Sequence, residues 1–195
     1  MCYNNIQEKV RVFDVCRHGT HALGPGLRYV IWTQGCLRRC PGCITPESHS
    51  LNGGIEVLVH DLAADIIQND LIDGITISGG EPFLQVKGLT LLLKCVLHKR
   101  PELTVIIYTG YKYEYLMNDN DSKTLISLCD VLIDGEYIEQ QNDNKGIRGS
   151  SNQRVFCITN RLERFLNTMI NSPRHIQKIA KDSEQFTVIG VPNHF

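Results

Sequence analysis

The sequence predicts an α/β protein built around a parallel sheet, and three observations carry that expectation. Short β-rich apolar runs alternate with stretches in which apolar residues recur at spacings of three and four, the order of successive βα units. Paired glycines follow directly on one of those runs, at the strand end where parallel sheets bind ligands. The chain has 195 residues, of which 42% are hydrophobic and 21% charged, which fits one globular domain and excludes a disordered or fibrous chain.

The elements follow in order. Leu27-Arg28-Tyr29-Val30-Ile31-Trp32-Thr33 reads as a strand because it is dense in β-branched and aromatic residues. From Glu56 to Asn69 the positions Leu58, Val59, Leu62, Ala63, Ile66 and Ile67 give a helical stripe. Gly74 to Ser78 is the next strand, and Gln85 to His98 the next helix, through Val86, Leu89, Leu93, Val96 and Leu97. Leu103 to Tyr108, Val131 to Ile133 and Arg154 to Ile158 complete the inner strands. Shorter helices are expected at Tyr113 to Met117, Ser122 to Leu128 and Arg161 to Ile170, with polar breaks at Asn118 to Asp121 and Gln140 to Gly146. Beyond Pro173 come a short helical pattern, His175 to Lys181, and a strand, Phe186 to Val191, suited to a sheet edge.

Charge and cysteine usage narrow the function. Lys plus Arg number 20 against 21 Asp plus Glu, a net charge of -1, which offers no overall attraction for nucleic acid or anionic lipid. Met1 to Lys9 lacks the cationic start and apolar run of a secretory signal, and the apolar stretch Leu89 to Leu97 is interrupted by Lys94, so no membrane passage is expected. Eight cysteines, three of them within Cys36 to Cys43, suit a reducing cytoplasm with one metal or redox site better than a disulfide scaffold.

Cys36-Leu37-Arg38-Arg39-Cys40-Pro41-Gly42-Cys43 has CxxxCxxC spacing in the loop after the first strand. Three thiolates leave one position of a metal site uncovered, whereas structural zinc and electron-carrying four-iron clusters use four protein ligands. A Cys3His zinc knuckle completed by His49 fits the same spacing. Gly35 and Pro41-Gly42 permit the tight turns that either centre requires. Gly79-Gly80-Glu81-Pro82 continues the Gly74 to Ser78 strand, placing close-approach glycines and a carboxylate that accepts from an ammonium group at the same sheet edge.

Six collinear segments resemble the radical S-adenosylmethionine (SAM) superfamily and, within it, the activating proteins of anaerobic ribonucleotide reductase. They are Gly24-Pro25-Gly26-Leu27-Arg28, the cysteine loop, Ser78-Gly79-Gly80-Glu81-Pro82, Tyr108-Thr109-Gly110-Tyr111, Asp130 to Gly135 and Arg148 to Arg154. The resemblance spans about residues 10–160 of a single domain covering 1–195, leaving an extension at about 161–195. It implies a partial, open βα barrel and a [4Fe-4S] cluster held by Cys36, Cys40 and Cys43, with SAM chelating the fourth iron. It further implies Gly79, Gly80 and Glu81 at the methionine ammonium, Gly42 and Ile44 bordering the adenosine, and Thr109, Asp134 and Asn152 at the sugar or carboxylate.

The function so implied is reductive cleavage of SAM to a 5′-deoxyadenosyl radical that makes a glycyl radical on a partner enzyme, with a flavodoxin-like electron donor. Two alternatives stay open: radical chemistry on another peptide or small molecule, and a non-catalytic metal-binding or electron-transfer module. Ile44 stands where an aromatic residue is usual, Arg17 to Leu23 reads as an insertion, and the tail ends in Ile189-Gly190-Val191-Pro192; all three bear on the substrate. Cys2, Cys16, Cys95, Cys129 and Cys157 show no paired spacing, so no second cluster is expected, and Cys95 and Cys129 read as small core residues. His18, His21 and His49 read as surface residues near the site loops, and Arg38 and Arg39 as charges beside the cluster.

Overall fold

The computed structural model describes residues 7–180 and 186–191. A seven-stranded mixed sheet has the order β3-β1-β2-β4-β5-β6-β7, where the strands are β1 (Lys9–Thr20), β2 (Arg28–Thr33), β3 (Ile55–Leu58), β4 (Gly74–Gly79), β5 (Thr104–Tyr108), β6 (Val131–Asp134) and β7 (Arg154–Cys157). Strands β2, β4, β5 and β6 are parallel, so their carboxyl ends share one edge. The outer pairs are antiparallel.

Strand alternation divides the side chains between two faces. Tyr29, Ile31, Ile75, Ile77, Val105, Ile107 and Leu132 pack under helices α1 (Val59–Ile67), α2 (Val86–Lys99) and, after the one-turn α3 (Tyr113–Leu116), α4 (Asn120–Ile126); α1, α2 and α4 contribute Leu62, Ile66, Leu89, Leu93, Val96 and Leu125. The expected helical stripes are therefore the buried ones, and Cys95 and Cys129 lie in this core. On the other face, Ile106, Val131 and Ile133 meet Leu162 and Met169, the latter from helix α5 (Leu166–Asn171). Val30 meets Cys16, Ala22, Leu23 and Ile189. One face is thus covered by helices, and the other holds only local cover from α5 and from a separate hairpin.

At the amino ends of the parallel strands lies a fully buried cation. Arg28 donates to Thr76 Oγ1 (3.1 Å), Thr104 Oγ1 (2.5 Å) and the carbonyls of Ile75 (2.5 Å), Thr104 (3.0 Å) and Pro25 (3.4 Å). All five acceptors are neutral, so burial pulls its pKa down to about 10 against the attraction of Asp130. The guanidinium fork sews β2 to β4 and β5 where they begin. Gly74 makes room for it, since a Cβ there would stand 2.2 Å from Arg28 Nη1 and 2.3 Å from the Thr104 carbonyl.

Several elements differ from expectation for physical reasons. The first strand expected from the sequence is Leu27 to Thr33, yet β1 precedes it and takes in part of Arg17 to Leu23; two register shifts, between Val12 and Asp14 and between Cys16 and Thr20, break its alternation and hide the strand. The helix expected from Glu56 begins at Val59, because Ile55–Leu58 pairs with β1 as an edge strand. Asp119, expected within a polar break, caps α4 by accepting from Ser122 N (2.8 Å). The helix expected at Arg161 to Ile170 starts as a 3-10 turn, Glu163–Phe165, and becomes α5 only at Leu166.

The helical pattern at His175 to Lys181 is overturned: Gln177–Ala180 is strand β8, and Lys181 lies outside the described residues. It pairs antiparallel with β9 (Phe186–Ile189) as a separate two-stranded sheet, not at the main sheet edge. Cys2 and Pro192 also lie outside the described residues. Among the described residues no helix is long and apolar enough to cross a membrane.

Gly74→Ala should lower the unfolding free energy by about 1–3 kcal/mol, because its Cβ would press on the Thr104 backbone carbonyl and on a guanidinium that hydrogen bonds hold in place. Urea denaturation followed by circular dichroism checks this, and an unchanged midpoint would remove the account of Arg28 as a three-strand tie.

Candidate radical cofactor site

The sheet edge at the carboxyl ends of the parallel strands carries a cavity of about 220 Å³ lined by Cys36, Cys40, Cys43, Ser78, Gly79, Gly80 and Glu81. The cysteine loop leaves β2 at Thr33 and returns upon itself. Gly35 N–H donates to Ser48 O (2.8 Å), Cys36 N–H to His49 O (3.1 Å), and the Gln34 amide to Glu47 O (3.1 Å) and Ser50 O (2.7 Å). Within it, Cys43 N–H donates to Cys40 O (3.1 Å) with Pro41 and a positive-φ Gly42 between, the residue pattern of a type II turn. That turn brings Cys40 and Cys43 to the same side of the loop. Burial, then the charges of Cys40 and Cys36, push the Cys43 thiol up, as expected of three sulfurs facing one space.

The glycine-rich strand end is joined to this loop by its backbone. Gly80 N–H donates to Thr33 O (2.7 Å) and Glu81 N–H to Gly35 O (2.8 Å). A Cβ on Gly80 would stand 2.3 Å from the Gly35 carbonyl oxygen, and one on Gly79, at φ 96°, within 2.7 Å of Thr33 and Trp32 backbone atoms. Glycine is required here by close approach as well as by conformation.

Glu81 is 1% exposed. Its Oε1 accepts from Phe83 N (3.1 Å) and Thr109 Oγ1 (2.8 Å), and its Oε2 from Gly110 N (2.8 Å). Burial raises its pKa, and these three hydrogen bonds oppose the rise. A carboxylate offers roughly four acceptor sites, so one remains for a cationic ligand group. Thr109 lines the cavity and acts chiefly by orienting Glu81.

Arg38 lies beside this carboxylate. It donates to Glu136 (2.8 Å) and stacks 5.5 Å over the Tyr111 ring, while Tyr111 stacks on Tyr115. Burial would lower the Arg38 pKa, but Glu136 and the Cys40 sulfur outweigh it and keep the guanidinium charged. Arg39, at φ 48°, is exposed.

Ile44 borders the cavity, whereas Gly42 faces Glu139 and is absent from the lining. Asp134 and Asn152 are absent from it too. The Asp134 carboxylate accepts from Tyr113 N (2.6 Å) and from both Nε (2.9 Å) and Nη2 of Arg154, and Asn152 donates to Glu136 O (2.9 Å). The neighbour Gln153 takes the interior position: it accepts from Gly149 N (2.7 Å) and donates to Gly135 O (2.7 Å), and all three residues line the cavity. Both residues lie in the turn before β7, and their hydrogen-bond partners separate them: Gln153 bonds inward to Gly149 and Gly135, Asn152 to the Glu136 carbonyl. Tyr108 and Trp32 line the cavity from the sheet, and residues of β9 close one side. His49 reaches the cavity, His18 is exposed, and His21 Nδ1 lies 3.1 Å from Gly26 O.

The donor set fits an iron–sulfur cluster. Among the described residues no three His, Cys, Asp or Glu side chains are gathered around a single ion. Cys36, Cys40 and Cys43 are free thiols opening onto one cavity, and thiolates are the ligands that hold four-iron clusters.

Replacing Glu81 by Gln puts an NH2 group against either Gly110 N–H or the Phe83 and Thr109 donors, at a cost of about 1–3 kcal/mol. Because the folded-state pKa is raised, the native protein binds this proton more tightly than the unfolded chain. The stabilisation it lends is full below the ordinary carboxyl range and is lost as pH rises towards the raised value. The unfolding free energy of wild type minus that of Glu81→Gln should therefore shrink with rising pH. Urea melts at several pH values check the sign.

A family model described as a 4Fe-4S single cluster domain matches residues 22–156. The anaerobic ribonucleoside-triphosphate reductase-activating protein of Haemophilus influenzae is 36% identical over 141 residues, 68% of this chain and 88% of that protein. Those of Pasteurella multocida (33% over 146 residues, 70% and 90%) and Escherichia coli (34% over 142 residues, 68% and 89%) are similar in the same way. The match to a four-iron domain decides between cluster and zinc knuckle, and the chain belongs to the 4Fe-4S single cluster domain family, among the anaerobic ribonucleoside-triphosphate reductase-activating proteins.

Proposed function

We propose that this protein is a radical SAM activase that makes a glycyl radical on anaerobic ribonucleotide reductase, and the observation that carries this is three free cysteines and Glu81 facing one cavity. With one electron from a donor, a bound [4Fe-4S] cluster and SAM would supply reductive cleavage of the sulfonium, with methionine as leaving group, and the radical chemistry that removes a glycine hydrogen atom. Cys36, Cys40 and Cys43 hold the cluster. Glu81, fixed by Thr109 and Gly110, accepts the methionine ammonium, and Gly79 and Gly80 let the ligand approach the strand end.

Ile44 borders the adenosine, with Gly42 setting the turn that places it. Asp134 and Asn152 support the sugar side indirectly, Asp134 through Tyr113 and Arg154, Asn152 through the Glu136 carbonyl. Arg38 provides positive charge beside Cys40 and, with exposed Leu37 and Arg39, a surface for an acidic flavodoxin-like donor. Trp32 and Tyr108 exclude water from the reacting centre. We read the sheet, with helices on one face and the cavity at the end of the other, as the open partial βα barrel of a single radical SAM domain that works in the cytoplasm.

Anaerobically reconstituted protein supplied with dithionite and SAM should release 5′-deoxyadenosine, and addition of the reductase should give a glycine-centred doublet in electron paramagnetic resonance. Cys40→Ser should abolish both signals. Deoxyadenosine without the doublet would move the chemistry to another substrate, and colourless protein carrying zinc would end the radical reading. Gly80→Ala should fold with reduced iron content, since its Cβ displaces the Gly35 carbonyl that starts the cysteine loop; iron and sulfide analysis reads this.

A further inference from the structure

The cavity is closed on one side by Val188 and Ile189 of β9 and by Gly190 and Val191, which follow it; all four lie beyond the 22–156 family match. Ile189 is 1% exposed, seated among Ala22, Leu23 and Val30 with Trp32 and Tyr108 packed against the same cluster. Gly190 follows at φ 102°, where a Cβ would stand 2.9 Å from the His175 carbonyl. An apolar side chain is therefore held in a pocket immediately before a glycine, both of them at the cavity that holds the three cysteines.

Space and anchoring argue that this segment stands where another polypeptide belongs. The cavity, about 220 Å³, has Val188 to Val191 as one wall, so a polypeptide that approaches the cysteines from that side meets this segment first. The hairpin has only two strands, too few to be stable alone. Its hold on the body is one apolar anchor, Ile189, and a few polar contacts: Thr20 Oγ1 (2.6 Å) and His21 N (3.3 Å) donate to Gln177, and Arg174 donates to Val191 O (3.3 Å) and Arg148 O (2.6 Å).

We propose that Ile189-Gly190-Val191 is an intramolecular occupant of the groove that receives the substrate polypeptide. The target segment binds by displacing the hairpin and presents an apolar residue directly before its glycine. This rests on the glycyl-radical reading above.

The test uses reconstituted protein with SAM, dithionite and the reductase. Ile189→Ser empties the apolar pocket, and Gln177→Ala loosens the hairpin from outside the cavity. If the hairpin is seated about 90% of the time, its release lowers the apparent KM for the reductase about tenfold, while Gln177→Ala keeps wild-type deoxyadenosine formation without partner. Trp32 is the single tryptophan and reports occupancy: a synthetic Thr-Val-Ile-Gly-Val peptide should shift its fluorescence in Ile189→Ser at about tenfold lower concentration than in wild type, and the Asp-for-Ile peptide should not.

An unchanged or raised KM in Gln177→Ala, or a peptide that shifts neither protein, would overturn the proposal. Should Ile189→Ser fail to fold, Gln177→Ala carries both measurements. Absence of deoxyadenosine from wild type would instead refute the radical reading, and the peptide titration would still decide whether the groove takes such a segment.

Discussion

The backbone bond from Glu81 N–H to the Gly35 carbonyl, with that from Gly80 N–H to Thr33, holds the cysteine loop against the end of β4. Everything at the site depends on this seam. It continues the parallel β2–β4 pairing one step past the last regular residue, so the loop that carries three thiols starts beside the residues that would meet a ligand's charged end. Only glycine permits the approach, because a single methyl on residue 80 would meet a carbonyl oxygen at 2.3 Å. The conformational freedom that glycine costs the unfolded chain is accepted here in return for contact no other residue allows.

The two ends of the parallel strands solve opposite electrostatic problems. At the amino end, Arg28 is a buried cation whose charge is spread over five neutral oxygens, making it a fastener among three strands. At the carboxyl end, Glu81 is a buried anion satisfied by three donors, with capacity for one more. A fully satisfied group serves packing, whereas one short of its full complement is ready for a partner. Asp134 belongs with the first kind, since Arg154 and Tyr113 N–H already surround it. Gln153 belongs with the structural fasteners as well, but inside the cavity wall.

Much of the fold was legible in the residues. The inner strands β2, β4, β5 and β6 are compact β-branched runs, and the stripes of α1 and α2 match the side chains buried beneath them. The cysteine loop and the Gly-Gly-Glu strand end could be placed at one edge because parallel strands deliver their carboxyl ends together. What escaped detection was controlled by partners distant in sequence. β1 is interrupted by two register shifts and acquires its strand character by pairing with β2 and β3. Gln177–Ala180 carries a helical spacing yet forms a strand because Phe186–Ile189 pairs with it.

By itself the sequence determined where the chemistry lies: three cysteines at CxxxCxxC spacing and a glycine-rich strand end are short, local patterns that mark one metal or cluster site and the strand end beside it. Only the tertiary structure decided which polar residues face the cavity, separating Gln153 from Asn152 and Thr109 from Asp134, and only it carried the β8–β9 hairpin to the mouth of the site. The physical reason is range. Thiolate spacing and turn preference act over a few residues, whereas the facing of a side chain and the seat of Ile189 are settled by packing between segments as far apart in the chain as Cys16 and Ile189.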